Sequence, residues 1–242
     1  MVKRKNLIVV GVGASAGRLA DLGTRAAMVA HELRNPLGVI AAAVYNLRQK
    51  NRDAALDKHL DNIDKKVFES GQIINNLLNF AQVGRPQFSA QKVNELIAEV
   101  LENCRPQFAK KQVRMEFKHD RGRDQAFMID QTQFVQMLNN ILGNSLEACA
   151  AGTGRVELLV HCDQADNCLL ITVKDNGVGV KKEYLPKLFL PFFTIKSRGT
   201  GLGLSVCRQI VELHHGSIGL DSVEGAGTTV MIKLPLRQEA LG

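Results

Sequence analysis

QFVQMLNNILGNSLEACA, residues 133–150, reads as an amphipathic helix that sets Asn140 and Asn144 one turn apart on one face, with Ala148 a further turn along. Asparagine lowers helix propensity, so two in register on a helix need a motive. Carboxamide oxygens are hard ligands suited to Mg²⁺, which is usually held by a few protein groups together with phosphates. A solvated polar face would explain the pair equally well if this helix stood alone.

Two glycine loops follow it. VKDNGVGV (173–180) ends a strand at Asp175 and continues through Asn176, Gly177 and Gly179. Glycine there lets backbone approach a ligand closely, and an acidic residue at a strand end can accept from the exocyclic amine of adenine. SRGTGLGLSVCRQIVELHHG (197–216) puts Gly199, Gly201 and Gly203 directly before a helix. Amide groups at a helix start and a glycine turn cradle phosphate oxygens, and Lys196 and Arg198 add positive charge. No GKS or GKT is present, so this is not a P-loop, and no strand leads straight into these glycines as a dinucleotide fingerprint requires. Between the loops lies KKEYLPKLFLPFFTIKS (181–197), expected to be a lid that closes over nucleotide rather than core.

The N-terminal part has another period. From about Arg18 to Lys50 apolar residues fall at Ala26, Ala30, Leu33, Leu37, Ile40, Val44 and Leu47, and a second seam runs through Leu56, Leu60, Ile63, Val67, Ile74, Leu77 and Ala81 with a lapse at Ser70. These are heptads. Two such helices joined by QKNRDAA make an antiparallel hairpin, and a lone hairpin leaves its stripe wet, so a second copy is expected to complete a dimeric four-helix bundle. In MVAHELRNPLGVI (28–40), His31, Glu32 and Asn35 fall off the seam, and Pro36 can bend the helix without interrupting the buried stripe.

Gly84 and Pro86 in VGRPQFS (83–89) mark a linker. Beyond it, helical runs (93–104, 131–150, 203–214) and alternating strands (113–117, 156–160, 168–173, 228–234) do not alternate strictly, so an α+β layered domain fits better than a doubly wound sheet. The expected organisation is a leader or remnant over 1–17, a helical hairpin over 18–83, a linker over 84–90 and an α/β sandwich over 91–242, which the family resemblance given below implies to be the ATP-binding domain.

The 242 residues carry a formal charge of +7, with Lys and Arg dispersed, no Trp and 5% aromatics, which argues against a nucleic-acid platform. Five cysteines without CxxC pairs suit a reduced, cytoplasmic setting. The opening MVKRKNLIVVGVGASAG mimics a signal peptide, but its apolar run is shorter than the ~20 residues that span a bilayer. No membrane span is expected.

Taken in order, HELRNP (31–36), NILGNSLEA (140–148), DNGVG (175–179), LFLPFFTIK (188–196) and GTGLGL (199–204) resemble the H, N, first glycine, F and second glycine boxes of two-component sensor histidine kinases. GAGTTV (225–230) is similar to their closing glycine strand, and LLNFAQVGRPQF with PFFTIK leans towards sensors of the nitrogen-regulation or nitrogen-fixation type. The resemblance implies that His31 is the phosphoacceptor, that Glu32 is the adjacent base, and that Asn35 completes an ExxN pattern able to position water for dephosphorylating a partner's aspartate. It implies further that Asn144, with Asn140 as a possible second ligand, holds Mg²⁺ and that Asp175 binds the adenine amine. Gly177, Gly179, Gly199, Thr200, Gly201, Leu202 and Gly203 would shape the ATP pocket, and Lys196 or Arg198 would contact phosphates. The implied partners are the receiver domain of a response regulator and a second copy of the chain. Two departures, Ser145 for the usual alanine and HHG (214–216) for HGG, are expected to leave the chemistry untouched. The rival reading is an ATPase-driven conformational machine of the gyrase, heat-shock chaperone or mismatch-repair kind. Those proteins carry a catalytic glutamate where this chain has Asn140.

Overall fold

The computed structural model describes residues 8–10, 16–51, 53–119, 126–163, 165–196 and 199–236, and leaves the side chains of residues 8–10, 16–29, 31, 54 and 126 outside that description. The chain forms two compact units, one running from Ala14 to Gly84, the other made of Met1–Gly13 and Arg85–Gly242.

The first unit is a helical hairpin of α1 (Ala16–Lys50) and α2 (Ala54–Ala81). Its turn is held by short polar side chains: Asn51 accepts from the Asp53 amide (3.0 Å) and donates to the Asp57 carboxylate (2.8 Å), while Asp53 caps α2 by accepting from the Ala55 amide (2.9 Å). Next to the turn, Arg48 spans Asp61 and Asp64 at 2.9 and 2.7 Å. Pro36 lies inside α1; it and Glu32, whose carbonyl it deprives of a donor, are both exposed, so water can serve that carbonyl.

The heptads divide by position. Ala30, Val44, Leu60, Ile74 and Leu78 are buried, whereas Leu33, Ile40, Leu47, Leu56 and Ile63 are 41–58% exposed. The buried seam of α2 reaches Leu78, packed with Ala30 and Ile74, where the strict period pointed to Leu77, which is only partly buried. A helix of 3.6 residues per turn drifts against a 3.5-residue repeat, and that drift brings in the residue one place further on.

In the second unit a six-stranded sheet runs in the order β1 (Ile8–Val10), β7 (Ser217–Val223), β8 (Gly227–Pro235), β6 (Cys168–Asp175), β5 (Arg155–Asp163), β3 (Arg114–His119), antiparallel throughout except for β3 beside β5. Helices α3 (Val93–Lys111), α4 (Gln131–Ala148) and α5 (Gly203–Leu213) pack with it, and β2 (Ser89–Lys92) pairs with β4 (Ala126–Ile129). The core lies between layers, where Leu138, Ile141 and Leu142 of α4 and Val206 and Ile210 of α5 are buried with Leu158, Ile171, Val173, Ile218 and Ile232 of the sheet. This is the α+β sandwich the sequence suggested.

The N-terminal apolar run forms a strand, with Val9 opposite Gly219 on the β7 edge, and two other segments depart from expectation. The stretch read as linker already enters β2 at Ser89. Helix α3 passes through Pro106 to Lys111 instead of stopping at Cys104, and here too the proline and the residue four before it, Glu102, are exposed.

The departure from HGG leaves a mark on the backbone. After α5 the chain turns left-handed at His215, φ 56°, with the side chain exposed. A side chain costs roughly 1–2 kcal/mol in that region, partly offset by the ~0.5–1 kcal/mol of entropy that glycine loses on folding. His215→Gly is therefore expected to stabilise the domain by about 0.5–1 kcal/mol, seen as a melting point roughly 2 °C higher. An unchanged or lower value would contradict this.

Candidate nucleotide site

Helix α4 starts at Asp130, whose carboxylate accepts from the Gln133 amide at 2.9 Å. It buries one face through Phe134, Met137, Leu138, Ile141, Leu142, Ser145 and Leu146, which leaves Asn140 and Asn144 half-buried on its flank. The start of α5 comes up to that flank: a Cβ on Gly203 would stand 3.6 Å from Asn144 Nδ2 and 4.0 Å from Asn140 Cγ. The two helices are locked together by Cys207, fully buried, whose thiol reaches the Met137 carbonyl (3.5 Å) and also engages the Asn140 side chain. Burial pushes that thiol up to about 12, so it is a packing group and not a nucleophile.

Asp175 closes β6 and is buried. Its Oδ1 accepts from the amides of Gly177 (2.9 Å) and Thr228 (3.1 Å). Burial raises its pKa, opposed by those two amides, by a hydrogen bond from Ser145 and by the charge of Lys196. Ser145 therefore does touch the proposed chemistry, correcting the expectation that the departure from alanine is neutral. A small hydroxyl one residue after Asn144 signalled this in the sequence, but only the fold brings α4 against β6.

Gly177 fits against the end of α4, since a Cβ there would lie 2.6 Å from the Ala148 carbonyl oxygen. Gly179 has φ +64°, and a Cβ would fall 2.0 Å from the Val223 oxygen. In the second loop Gly201 has φ +69° and lies on the Phe192–Phe193 backbone, 2.5 Å from a would-be Cβ, while Gly199 closes on the Thr194 hydroxyl. Thr200 is half-buried; Leu202 is buried and precedes α5, its carbonyl taking the Ser205 hydroxyl at 2.8 Å.

The segment expected to be a lid divides in two. Leu185, Leu188 and Phe189 are buried core, which corrects the lid reading for Phe189, whereas Leu190, Phe192 and Ile195 are exposed and Phe193 is half-buried beside Tyr184. Hydrophobicity alone could not separate the anchored half from the exposed one.

Lys196 reaches from the end of this segment to α4, donating to Asn144 Oδ1 (2.7 Å) and Glu147 Oε2 (2.6 Å). The Asn144 oxygen thus already faces a cation, with a carboxylate beside it. This hard-oxygen set fits Mg²⁺. Glu147 was missed by sequence reasoning; its spacing three residues after Asn144, on the same helix face, was the available signal. Arg198 lies outside the described residues.

In the hairpin unit, Glu32 and Asn35 are exposed on α1, and Arg34 crosses to Asn75 of α2 at 2.8 Å. His31 lies in α1, and its side chain falls outside the described residues.

The geometry has counterparts among known proteins. Residues 129–238 match the family described as histidine kinase-, DNA gyrase B-, and HSP90-like ATPase, and residues 21–86 match the His Kinase A (phospho-acceptor) domain. The chain is similar to the signal transduction histidine-protein kinase AtoS of Escherichia coli (34% identity over 93% of this chain and 37% of the relative). It is also similar to the sensor protein FixL of Bradyrhizobium diazoefficiens (31% identity over 92% of this chain and 45% of FixL). The chain thus spans less than half the length of these curated relatives. The solved catalytic domain of the histidine kinase ThkA superposes with a TM-score of 0.56 at 31% identity, covering 62% of this chain and 96% of that domain. ThkA in complex with the response regulator TrrA superposes with a TM-score of 0.67 at 26% identity, covering 93% of this chain and 65% of that one.

Proposed function

The chain belongs to the histidine kinases of two-component signalling, and from that premise we propose that it phosphorylates its own His31 from ATP and passes the phosphoryl group to an aspartate of a response-regulator receiver domain. The observation that carries the proposal is that Asn140, Asn144 and the Gly203 turn meet in one domain, with Asp175 brought to Ser145, the residue after Asn144.

Phosphoryl transfer proceeds through a loose transition state with charge on the peripheral oxygens, so the protein must chiefly position its reactants and neutralise that charge. Asp175 reads the adenine amine. The amides of Gly199–Gly203 and the start of α5 receive phosphates, and the Lys196 ammonium moves from Asn144 to them. Asn144, helped by Asn140, would hold Mg²⁺, which would supply positive charge against the phosphate oxygens. Glu32 takes the proton as the His31 imidazole attacks, and Asn35 with Glu32 orients water in the reverse, regulator-dephosphorylating reaction.

The exposed half of the heptad, Leu33, Ile40, Leu47, Leu56 and Ile63, supports pairing of two hairpins as a four-helix bundle in a homodimer. Among the described residues no helix is long and apolar enough to cross a membrane, and the need for ATP places the domain on the cytoplasmic side. The stretch LLNFAQVGRPQF, which runs out of the end of α2, and the PFFTIK segment support a kinship with nitrogen-type sensors.

The deciding experiment is incubation with γ-labelled ATP and Mg²⁺. Label retained on the protein that is labile to acid and stable to alkali is expected. Phosphate released with none retained would transfer the chain to the conformational ATPases, and neither result would leave a binding scaffold.

A further inference from the structure

Two residues outside the nucleotide site, Asp130 and His214, join three parts of the domain. Asp130 divides its carboxylate: Oδ1 caps α4 through the Gln133 amide (2.9 Å), and Oδ2 accepts from the Gln87 amide at 2.7 Å, across 43 residues of sequence. Its own amide donates to His214 Nε2 at 3.3 Å. The His214 Nδ1 lies 2.9 Å from the Ile210 carbonyl oxygen, so Nδ1 carries the proton and Nε2 is the acceptor for the Asp130 amide. Burial lowers the pKa of this imidazole and keeps it neutral. Phe88 meets the His214 ring edge-on at 5.2 Å, and from Ser89, opposite Ile129, the chain is paired in β2.

The consequence is geometric. Asp130 begins α4 and His214 follows the last turn of α5, while at their other ends the same helices bring Asn144 and Gly203 together. They therefore run antiparallel as one packed lever, about 20 Å from Asp130 to Asn144 at 1.5 Å per residue. One end grips the chain where it enters the domain, and the other carries the phosphate turn. The chain is thereby held to this domain from Gln87 onward, directly after Gly84 and Pro86 in the sequence.

We propose that Asp130 and His214 are positioning residues that fix the entering strand to the base of the α4–α5 lever, so that the hinge stays short and the γ-phosphate is delivered to a set place. The proposal rests on the kinase reading above. It adds no contact with substrate.

Asp130→Asn isolates the anchor. The amide keeps an oxygen to cap α4, but its NH₂ cannot accept from the Gln87 amide. Expected are faster hydrogen exchange at Gln87 and Phe88, nucleotide affinity within about twofold of wild type, and autophosphorylation at saturating ATP slowed roughly 3- to 10-fold because a longer tether lowers effective concentration. Phe88→Ala, which leaves the cap intact, should act in the same direction. Unchanged exchange at Gln87 in both variants, a rate that does not fall, or nucleotide affinity falling in step with rate would each overturn the proposal. Absence of any phosphorylation in the wild-type chain would refute the kinase reading instead, and the exchange measurement would still decide whether the anchor exists.

Discussion

Asp175→Asn is expected to weaken nucleotide binding by about 100-fold while leaving the domain at least as stable at pH 7. The two halves of this result come from the same carboxylate. Its Oδ1 is occupied by the Gly177 and Thr228 amides, which an asparagine oxygen can also serve. We assign the adenine amine to the other oxygen of this carboxyl, which Ser145 also contacts. In the variant it becomes a donor facing a donor, and losing a charge-assisted bond while leaving a buried group unpaired is worth about 2.7 kcal/mol or more, two decades in affinity. Stability moves the other way. The folded pKa of Asp175 is raised by burial, so this group favours folding fully only below its unfolded value, about 3.9, and that contribution is lost as pH rises through the folded value. At pH 7, above the unfolded value, the raised pKa is a cost to folding that the neutral amide removes. Titration with a fluorescent ATP analogue and thermal melts at pH 7 and about pH 4 check both halves; the stability gain should shrink at the lower pH. A variant that binds within threefold of wild type, or melts lower at pH 7, would remove Asp175 from the adenine site. An acid retained at a cost to the fold is what a ligand-binding role predicts.

The local arrangement of the candidate site was readable from residues alone because each box is local. Asn140 and Asn144 share a face by helical period, and glycines 201 and 203 stand before α5 by spacing. What escaped were relations made by the sheet and by packing. Ser145 meets Asp175 only because α4 lies on β6, and Glu147 meets Lys196 only because the chain returns after β6 to the same helix. The strand β7 was not singled out, since SIGLDSV mixes glycine with polar residues and owes its place to pairing with β8. In the hairpin the period located the apolar seam but could not tell which half would be buried within one chain. Ala30 and Val44 went inside, while Leu33, Ile40 and Leu47, identical in their seven-residue spacing, stayed outside. That partition belongs to the crossing of two helices, which no single helix's pattern contains.

His31→Gln is expected to abolish acid-labile label altogether while nucleotide affinity stays unchanged. Of the proposed site residues only Glu32 and Asn35 share the hairpin unit with His31; the residues assigned to nucleotide belong to the other unit. The substitution therefore removes the acceptor and leaves ATP binding intact. Imidazole, with an ordinary pKa of about 6.5, presents a neutral nitrogen at cellular pH, and glutamine, of similar length and polarity, offers an amide whose lone pair is delocalised and does not attack. Glu32→Gln should retain label but form it about 100-fold more slowly, the range in which removing a positioned general base usually falls. The pair of variants separates acceptor from base: none against slow, at the same nucleotide affinity. Label persisting in His31→Gln would move the acceptor elsewhere in the chain. Label unaffected in Glu32→Gln would mean that another group takes the proton.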